Sequence, residues 1–371
     1  MTTGDELVAA TVVADAASEM TPIAQPKPYS QAGPVLVILA VDILAVVVFG
    51  LISQGHVFFE VQSLKNIALD GSETVLLSVG VAFLLGAGEL DISLGANVIL
   101  SSVVGGKVMA GLAGDGSALA IAIGTVACVL AGTAAGLCNA LVVTRLRVNS
   151  FITTLATLGI MTGLADVLTN GYNISNIPLS LQAKFGTANF LGIIPYPAFI
   201  VVVLVIASNA LLRRTRFGVH TLALGSSREA AVRAGLPARR NLTILFAMAG
   251  CCAGISGLID LSRYTTTNLS GHQTDALAAI AGAVIGGTDL FGGRVSVWGA
   301  ALGSLLAVVL QDGLVVVGLQ AFYQLIAVGV VLVAAVSIRG FTHRDDRAVF
   351  DLRRLLRFGR DTAGPTNGRI P

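Results

Sequence analysis

The chain has 371 residues, of which 54% are hydrophobic and only 12% charged, and its mean hydropathy is +0.83. Soluble domains carry roughly 25% charged residues, so this composition cannot supply a water-exposed surface and excludes a soluble protein. A formal net charge of +2 at pH 7 gives no basic field of the kind that attracts nucleic acid.

Residues 1–33 are polar, contain Asp5, Glu6, Asp15 and Glu19, and run into Pro22, Pro26, Pro28 and Pro34. They lack the basic start and immediate apolar core of a signal peptide and read as a flexible cytoplasmic tail. Ten apolar segments follow, at 34–52, 72–88, 92–112, 117–143, 149–169, 196–212, 241–261, 274–288, 295–311 and 313–338. A bilayer core of about 30 Å needs roughly 20 helical residues. Segments 117–143 and 313–338 meet that length without a charge, whereas 274–288 is marginal. Lys107, in the third segment, is placed to snorkel to the interface. The fold class is therefore an all-α polytopic membrane protein, with residues 34–338 as a transmembrane domain of about ten helices. Residues 339–371 form a basic cytoplasmic tail. Its Val349, Leu352, Leu355 and Leu356 share one face, which suits either an amphipathic helix on anionic lipid or a topology-fixing tail.

The arginines orient the chain. Arg145 and Arg147 follow the fourth segment, seven arginines lie in 213–240, and eight more lie in 339–371. By contrast, 171–195 has the single charge Lys184. The positive-inside rule places the arginine clusters in the cytoplasm and 171–195 outside. Ten crossings then leave both termini cytoplasmic. The 43 glycines, many within apolar segments, let helices pack closely in lipid. The four cysteines have no metal-type spacing and read as small apolar helix residues.

The loop 213–240 is the most informative stretch outside the apolar segments. Ser226 or Ser227 can cap a short helix, Glu229 falls in its first turn, and Gly235 is placed to end it. Such a helix is either an ordinary element lying on the bilayer or a docking element for a cytoplasmic partner. Glu229-Ala230-Ala231 followed by Gly235 resembles the coupling motif of permease subunits of ATP-binding cassette importers. Four more stretches are similar to the ribose, xylose and galactose permeases of that class. They are Gly88 to Gly95, Ser150 to Leu158, Asp275 to Arg294, and Asp312-Gly313-Leu314 with Phe322-Tyr323-Gln324. They keep the family's order from about residue 60 to 338. Glu89, where the family commonly has glycine, and Val328, where many members have lysine, are departures.

The resemblance implies a permease subunit of a bacterial inner-membrane importer, present as a homodimer or paired with a second permease. A solute-binding protein would deliver a monosaccharide, and a separate ATPase subunit would bind ATP and magnesium. No cofactor is expected on this chain, and no catalysis. The coupling residues would be Arg228, Glu229, Ala230, Ala231, Arg233 and Gly235. Candidates for gating or the translocation path are Glu89, Asp91, Thr153, Thr154, Thr157, Asp289, Asp312 and Gln324. An ionisable side chain within a bilayer costs at least ~2.5 kcal/mol, so a retained one usually faces an aqueous path. Asp91 and Asp289 can equally cap helices in water, and the threonines can bond their own backbone. Gly88–Gly95 and Gly286–Gly293 share a G-x-x-D-[IL]-x-x-G pattern, a faint sign of duplication. Asp42 and Asp260 are further acids within segments, and Asp260 is expected to pair with Arg263.

The four lysines precede Pro28, Asn66, Val108 and Phe185, so none belongs to a P-loop. The four histidines are far apart, with no metal-binding spacing. Alternatives to the sugar permease are an ion-coupled secondary transporter or channel, and an importer permease for a nucleoside or branched-chain amino acid.

Overall fold

The computed structural model describes residues 32–112 and 118–320, together with 323, 326, 329, 330 and 333. The described residues from Pro34 onward form one contact unit. The first half comprises α1 (Ala32–Ile52), a short 3-10 helix (Gln54–Phe59), α2 (Val61–Gly86), α3 (Leu94–Leu112), α4 (Ala118–Arg145) and α5 (Ser150–Thr169). Helical turns at Leu179–Leu181 and Gln182–Gly186 lead to a small antiparallel pair, β1 (Asn189–Phe190) and β2 (Ile194–Pro195). Then come α6 (Tyr196–Arg214), α7 (Arg216–Ser226), α8 (Arg228–Arg233), α9 (Ala238–Tyr264), α10 (Asp275–Ile285) and α11 (Val297–Val316).

Local chemistry sets several ends. The Asn149 side chain accepts from Phe151 N at 2.9 Å to start α5, and Ser296 accepts from Gly299 N at 3.2 Å to start α11. Asn170, in the left-handed conformation, ends α5.

Eight described helices, α1 to α6, α9 and α11, are long and apolar enough to cross a membrane. Three expected boundaries move. α2 begins at Val61, ahead of the segment expected at 72, because Glu60, Lys65, Asp70 and Glu73 depress the local hydropathy without breaking the helix. The segment expected at 274–288 is α10, whose 11 residues span only about 16 Å. α11 continues to Val316, so the division expected at 311–313 falls inside a helix. Most of 313–338, and both the 1–31 and 339–371 tails, lie outside the described residues.

Burial separates centre from periphery. The apolar window of α2 is 83% buried and that of α9 61%, against 22% for α1, α5 and α6. Large apolar side chains cover the outer faces of those peripheral helices, among them Leu44, Leu155 and Val202. This is the inverse of a soluble protein's surface.

The packing has an internal symmetry. α9 lies against α4 and α3, and α3 against α4; correspondingly α2 lies against α11 and α10, and α10 against α11. Exchanging α2–α4 for α9–α11 leaves these pairings unchanged. Directions agree. α2 and α9 run antiparallel, since Glu73 O accepts from Ser256 Oγ while Gly80 faces Ala249. The two triplets are thus related with inverted direction along the bundle. The G-x-x-D repeat does not follow this relation, because Gly88–Gly95 joins α2 to α3 whereas Gly286–Gly293 joins α10 to α11.

In each triplet the middle helix begins part-way through the bundle. Gly257 packs on Val98 and Ser102, which sets the start of α3 level with the middle of α9. Ser78 Oγ donates to Ala279 O and Ala300 O, which sets the start of α10 level with the middle of α2. Non-helical stretches, 87–93 and 265–274, lead into these helices. The two starts meet where Gly95 packs against His272 O and Ala276 N. Irregular backbone at such depth is tolerated only where protein or a cavity satisfies its polar groups.

Candidate functional site

The stretch 213–240 holds two helices where one was expected. Thr215 caps α7 by accepting from Gly218 N at 3.4 Å. Thr221 on its buried face accepts from Asn241 Nδ2 at 3.0 Å, which ties α7 to the base of α9. The end of α7 touches both connecting loops: Gly225 lies against Gly86 O and against Gly292. Gly293 N also donates to Gly86 O at 3.0 Å, joining the loop after α10 to the end of α2.

α8 follows immediately. Ser227, one of the two expected caps, accepts from Ala230 N at 3.3 Å. Gly235, at φ +79°, supplies the left-handed turn that ends the helix. Ala231 is buried, while Glu229 and Arg233 point outward and pair with each other at 3.5 Å. Arg228 instead points inward, and its Nη1 donates to Glu89 Oε1 at 2.8 Å. Glu89 has only 7% of its side chain exposed and Arg228 has 55%. Two residues expected at separate places, one in coupling and one in gating, are therefore one ion pair. They border an open groove of about 970 Å³ that also bears Arg147, Asn149, Arg239 and Arg240. Replacing Ser227 with Ala removes the side-chain acceptor and costs about 1 kcal/mol of helix stability; amide exchange at Ala230 should speed up about fivefold.

Asp91 lies next in the loop and is 1% exposed, so it does not cap a helix in water. Its Oδ1 accepts from Ser93 N at 2.8 Å and Ser93 Oγ at 2.6 Å, and Asn139 Nδ2 lies 3.4 Å from Oδ2. These bonds fix the chain entering α3 and link it to α4. The first turn of α5 holds the same loop from the other side, since Ser150 Oγ accepts from Leu90 N at 3.2 Å and Thr154 Oγ1 from Ile92 N at 3.3 Å. Thr153, Thr154 and Thr157 each also donate to a carbonyl of their own helix.

The remaining candidates separate. Asp289 makes a turn after α10, accepting from Phe291 N at 3.0 Å, and it is Ser296 that caps α11. Asp312 lies at the far end of the bundle, beside Asp70 and Arg263. Gln324 lies outside the described residues. Asp42 is buried in α1 with no hydrogen-bond partner for either oxygen among the described residues. The expected Asp260–Arg263 pair does not form. Arg263 reaches across to grip Asp70 on α2 with both guanidinium nitrogens, and Asp260 turns toward His272. Asp70, Glu73, His272 and Asp275 are not among the sequence candidates; for Asp70 and Glu73, acids inside an apolar helix are a readable signal once α2 is started at Val61.

Comparison with known proteins identifies the architecture. Residues 63–336 match the family model described as branched-chain amino acid transport system / permease component. The chain belongs to this family. This permease is 34% identical over 277 residues to the ribose import permease protein RbsC of Bacillus subtilis, covering 74% of this chain and 82% of that one. It is 30% identical to the D-allose transport system permease protein AlsC of Escherichia coli, covering 80% and 89%. The L-arabinose ABC transporter permease protein AraH of Azospirillum brasilense is 32% identical, covering 77% and 81%. No solved structure matches. The permease is a multi-pass protein of the inner membrane, and its role is transport.

Proposed function

We propose that this permease forms the translocation pathway of an ATP-binding cassette importer for a monosaccharide. The family description names branched-chain amino acids, but the relatives that align over most of this chain are named for ribose, allose and arabinose. The arginine-rich end faces the cytoplasm. A separate ATPase subunit docks on α8, two permeases form the pathway, and a binding protein delivers the sugar on the other side.

The observation that carries the reading is the two-sided character of α8. Its outer face, with Glu229, Val232 and Arg233, is exposed, whereas its inner face is bonded to Glu89 in the loop that opens α3. A push on the outer face therefore reaches both connecting loops, one through Arg228 and Glu89 and the other through Gly225 at the end of α7. Such contacts favour a rigid-body switch between two openings over diffuse bending. Asp91 serves here to hold the start of α3, and Thr153, Thr154 and Thr157 to brace α5.

The test is reconstitution with the ATPase and the binding protein, following labelled ribose, allose, arabinose and leucine. ATP-dependent uptake of one sugar is the expected result. Uptake of leucine alone, or uptake driven by an ion gradient without ATP, would replace this reading. Glu229→Lys, on the outer face, should weaken co-purification of the ATPase about tenfold while the permease stays in the membrane.

A further inference from the structure

In the half of the bundle away from α8, a cavity of about 290 Å³ lies between α2, α9 and α11 and the chain leading into α10. Five carboxylates line it, those of Asp70, Glu73, Asp260, Asp275 and Asp312, against the single imidazole of His272. Arg263, the neighbouring cation, is bonded to Asp70. This leaves more acidic than basic groups inside the bundle, where an unpaired ion is expensive.

The geometry narrows what could balance that excess. One ligand atom each from Glu73, Asp260 and His272 lies within 4.8 Å of the other two. All three residues are buried, at 9%, 1% and 5% exposed. Glu73 Oε1 and Asp260 Oδ2 have no hydrogen-bond partner among the described residues. His272 Nδ1 lies 2.7 Å from Asp275 Oδ2, the distance at which Nδ1–H donates to that carboxylate. The lone pair of Nε2 then faces Asp260 Oδ1 at 3.3 Å, acceptor against acceptor. A proton on Nε2 would relieve that one contact but would leave Glu73 Oε1 and Asp260 Oδ2 unpaired. A divalent cation held by one atom from each of the three residues would accept the Nε2 lone pair and offset both carboxylate charges. A carboxylate on the far nitrogen of a ligating imidazole is also the usual way its orientation is fixed.

We propose that Glu73, Asp260 and His272 form a buried site for one divalent metal cation of the zinc or manganese class, with Asp275 orienting the imidazole. One imidazole and two carboxylates are ligands that such cations share. The cavity leaves room for water to complete the coordination. The bound cation would fasten the chain ahead of α10 to α2 and α9, at the place where the starts of α3 and α10 meet.

The test uses the full-length permease in lipid nanodiscs, without an affinity tag, stripped with chelator and then exposed to zinc(II) alone. The expected result is one zinc retained per chain after gel filtration. Its X-ray absorption spectrum should show one imidazole nitrogen with oxygen ligands and no sulfur. Glu73→Gln and His272→Gln should each weaken retention at least tenfold, and Asp275→Asn tenfold or more through the imidazole. His220→Gln, at the opposite end, should retain zinc fully. No stoichiometric zinc on the monodisperse wild type would overturn the proposal. So would a wild-type spectrum without imidazole, which decides the matter even if every variant failed to fold.

Discussion

Reversing the charge of Arg228 by Arg228→Glu should lower ATP-driven uptake tenfold or more, and the double variant Glu89→Arg/Arg228→Glu should recover much of the loss. The wild-type pair is asymmetric, with Glu89 7% and Arg228 55% exposed. Two charges near 4 Å apart interact by about 4 kcal/mol at an effective dielectric of 20. Solvent around Arg228 reduces this to about 1 kcal/mol. The single variant also sets two carboxylates against each other, one of them buried, and so drives the loop at 87–93 away from α8. The groove beside the pair has room for a longer side chain at position 89, which is why the exchange should be tolerated. Uptake and ATPase co-purification need to be measured together. Loss of uptake with the ATPase still bound is the expected pattern, since Arg228 points inward. If the double variant stays as inactive as the single, the pair is not the link between α8 and α3.

How far the sequence discloses this linkage depends on distance along the chain. The short helix at 228–233, its cap at Ser227 and its stop at Gly235 are local features, and composition reports them directly. Glu89 stands out because it is an acid within a glycine-rich, apolar stretch. Its partner is invisible, because 139 residues separate Glu89 from Arg228 and no periodicity spans that interval. The same holds for His272 against Glu73. Histidines far apart in sequence, with no shared spacing, look chemically inert until α9 and the chain ahead of α10 carry one beside the middle of α2. Asp260 shows the opposite error. Spacing of three on a helix suggested Arg263 as its partner, but the two side chains leave α9 toward different neighbours.

Helix boundaries fail for a related reason. Hydropathy averages every face of a helix, so Lys65 and Asp70 with their polar neighbours made the first three turns of α2 look like a loop, although Asp70 lines a polar cavity. The short α10 looked marginal because it is only half of a crossing, the other half being the non-helical stretch 265–274. Sequence alone also placed an internal repeat at the G-x-x-D pattern. The relation that the packing obeys joins α2–α4 to α9–α11 and depends on which helices touch, so a shared four-residue pattern in two glycine-rich loops could not reveal it.

A close backbone approach in that relation gives the second large effect. Gly132→Leu on α4, or Gly250→Leu on α9, should prevent the permease from reaching its folded state. A Cβ at position 132 would sit 2.6 Å from Gly254 N, and one at position 250 would sit 3.0 Å from the Cα of Gly136. These contacts are backbone against backbone, so no rotamer change can relieve them, and the helices must separate. In lipid, where close van der Waals packing replaces the hydrophobic drive between helices, that separation removes the source of association. Overpacking typically costs 1–3 kcal/mol where side chains can move, and about 3 kcal/mol or more is expected where they cannot. Ala134→Leu provides the comparison, because Ala134 is exposed on the same helix two residues from Gly132. The measurement is the fraction of membrane-inserted chain that elutes as a single species after mild solubilisation. It should fall at least tenfold for either glycine variant and stay near wild type for Ala134→Leu. Equal behaviour of Gly132→Leu and Ala134→Leu would mean that α4 and α9 do not pack at this distance, and the symmetry between the triplets would lose one of its close contacts.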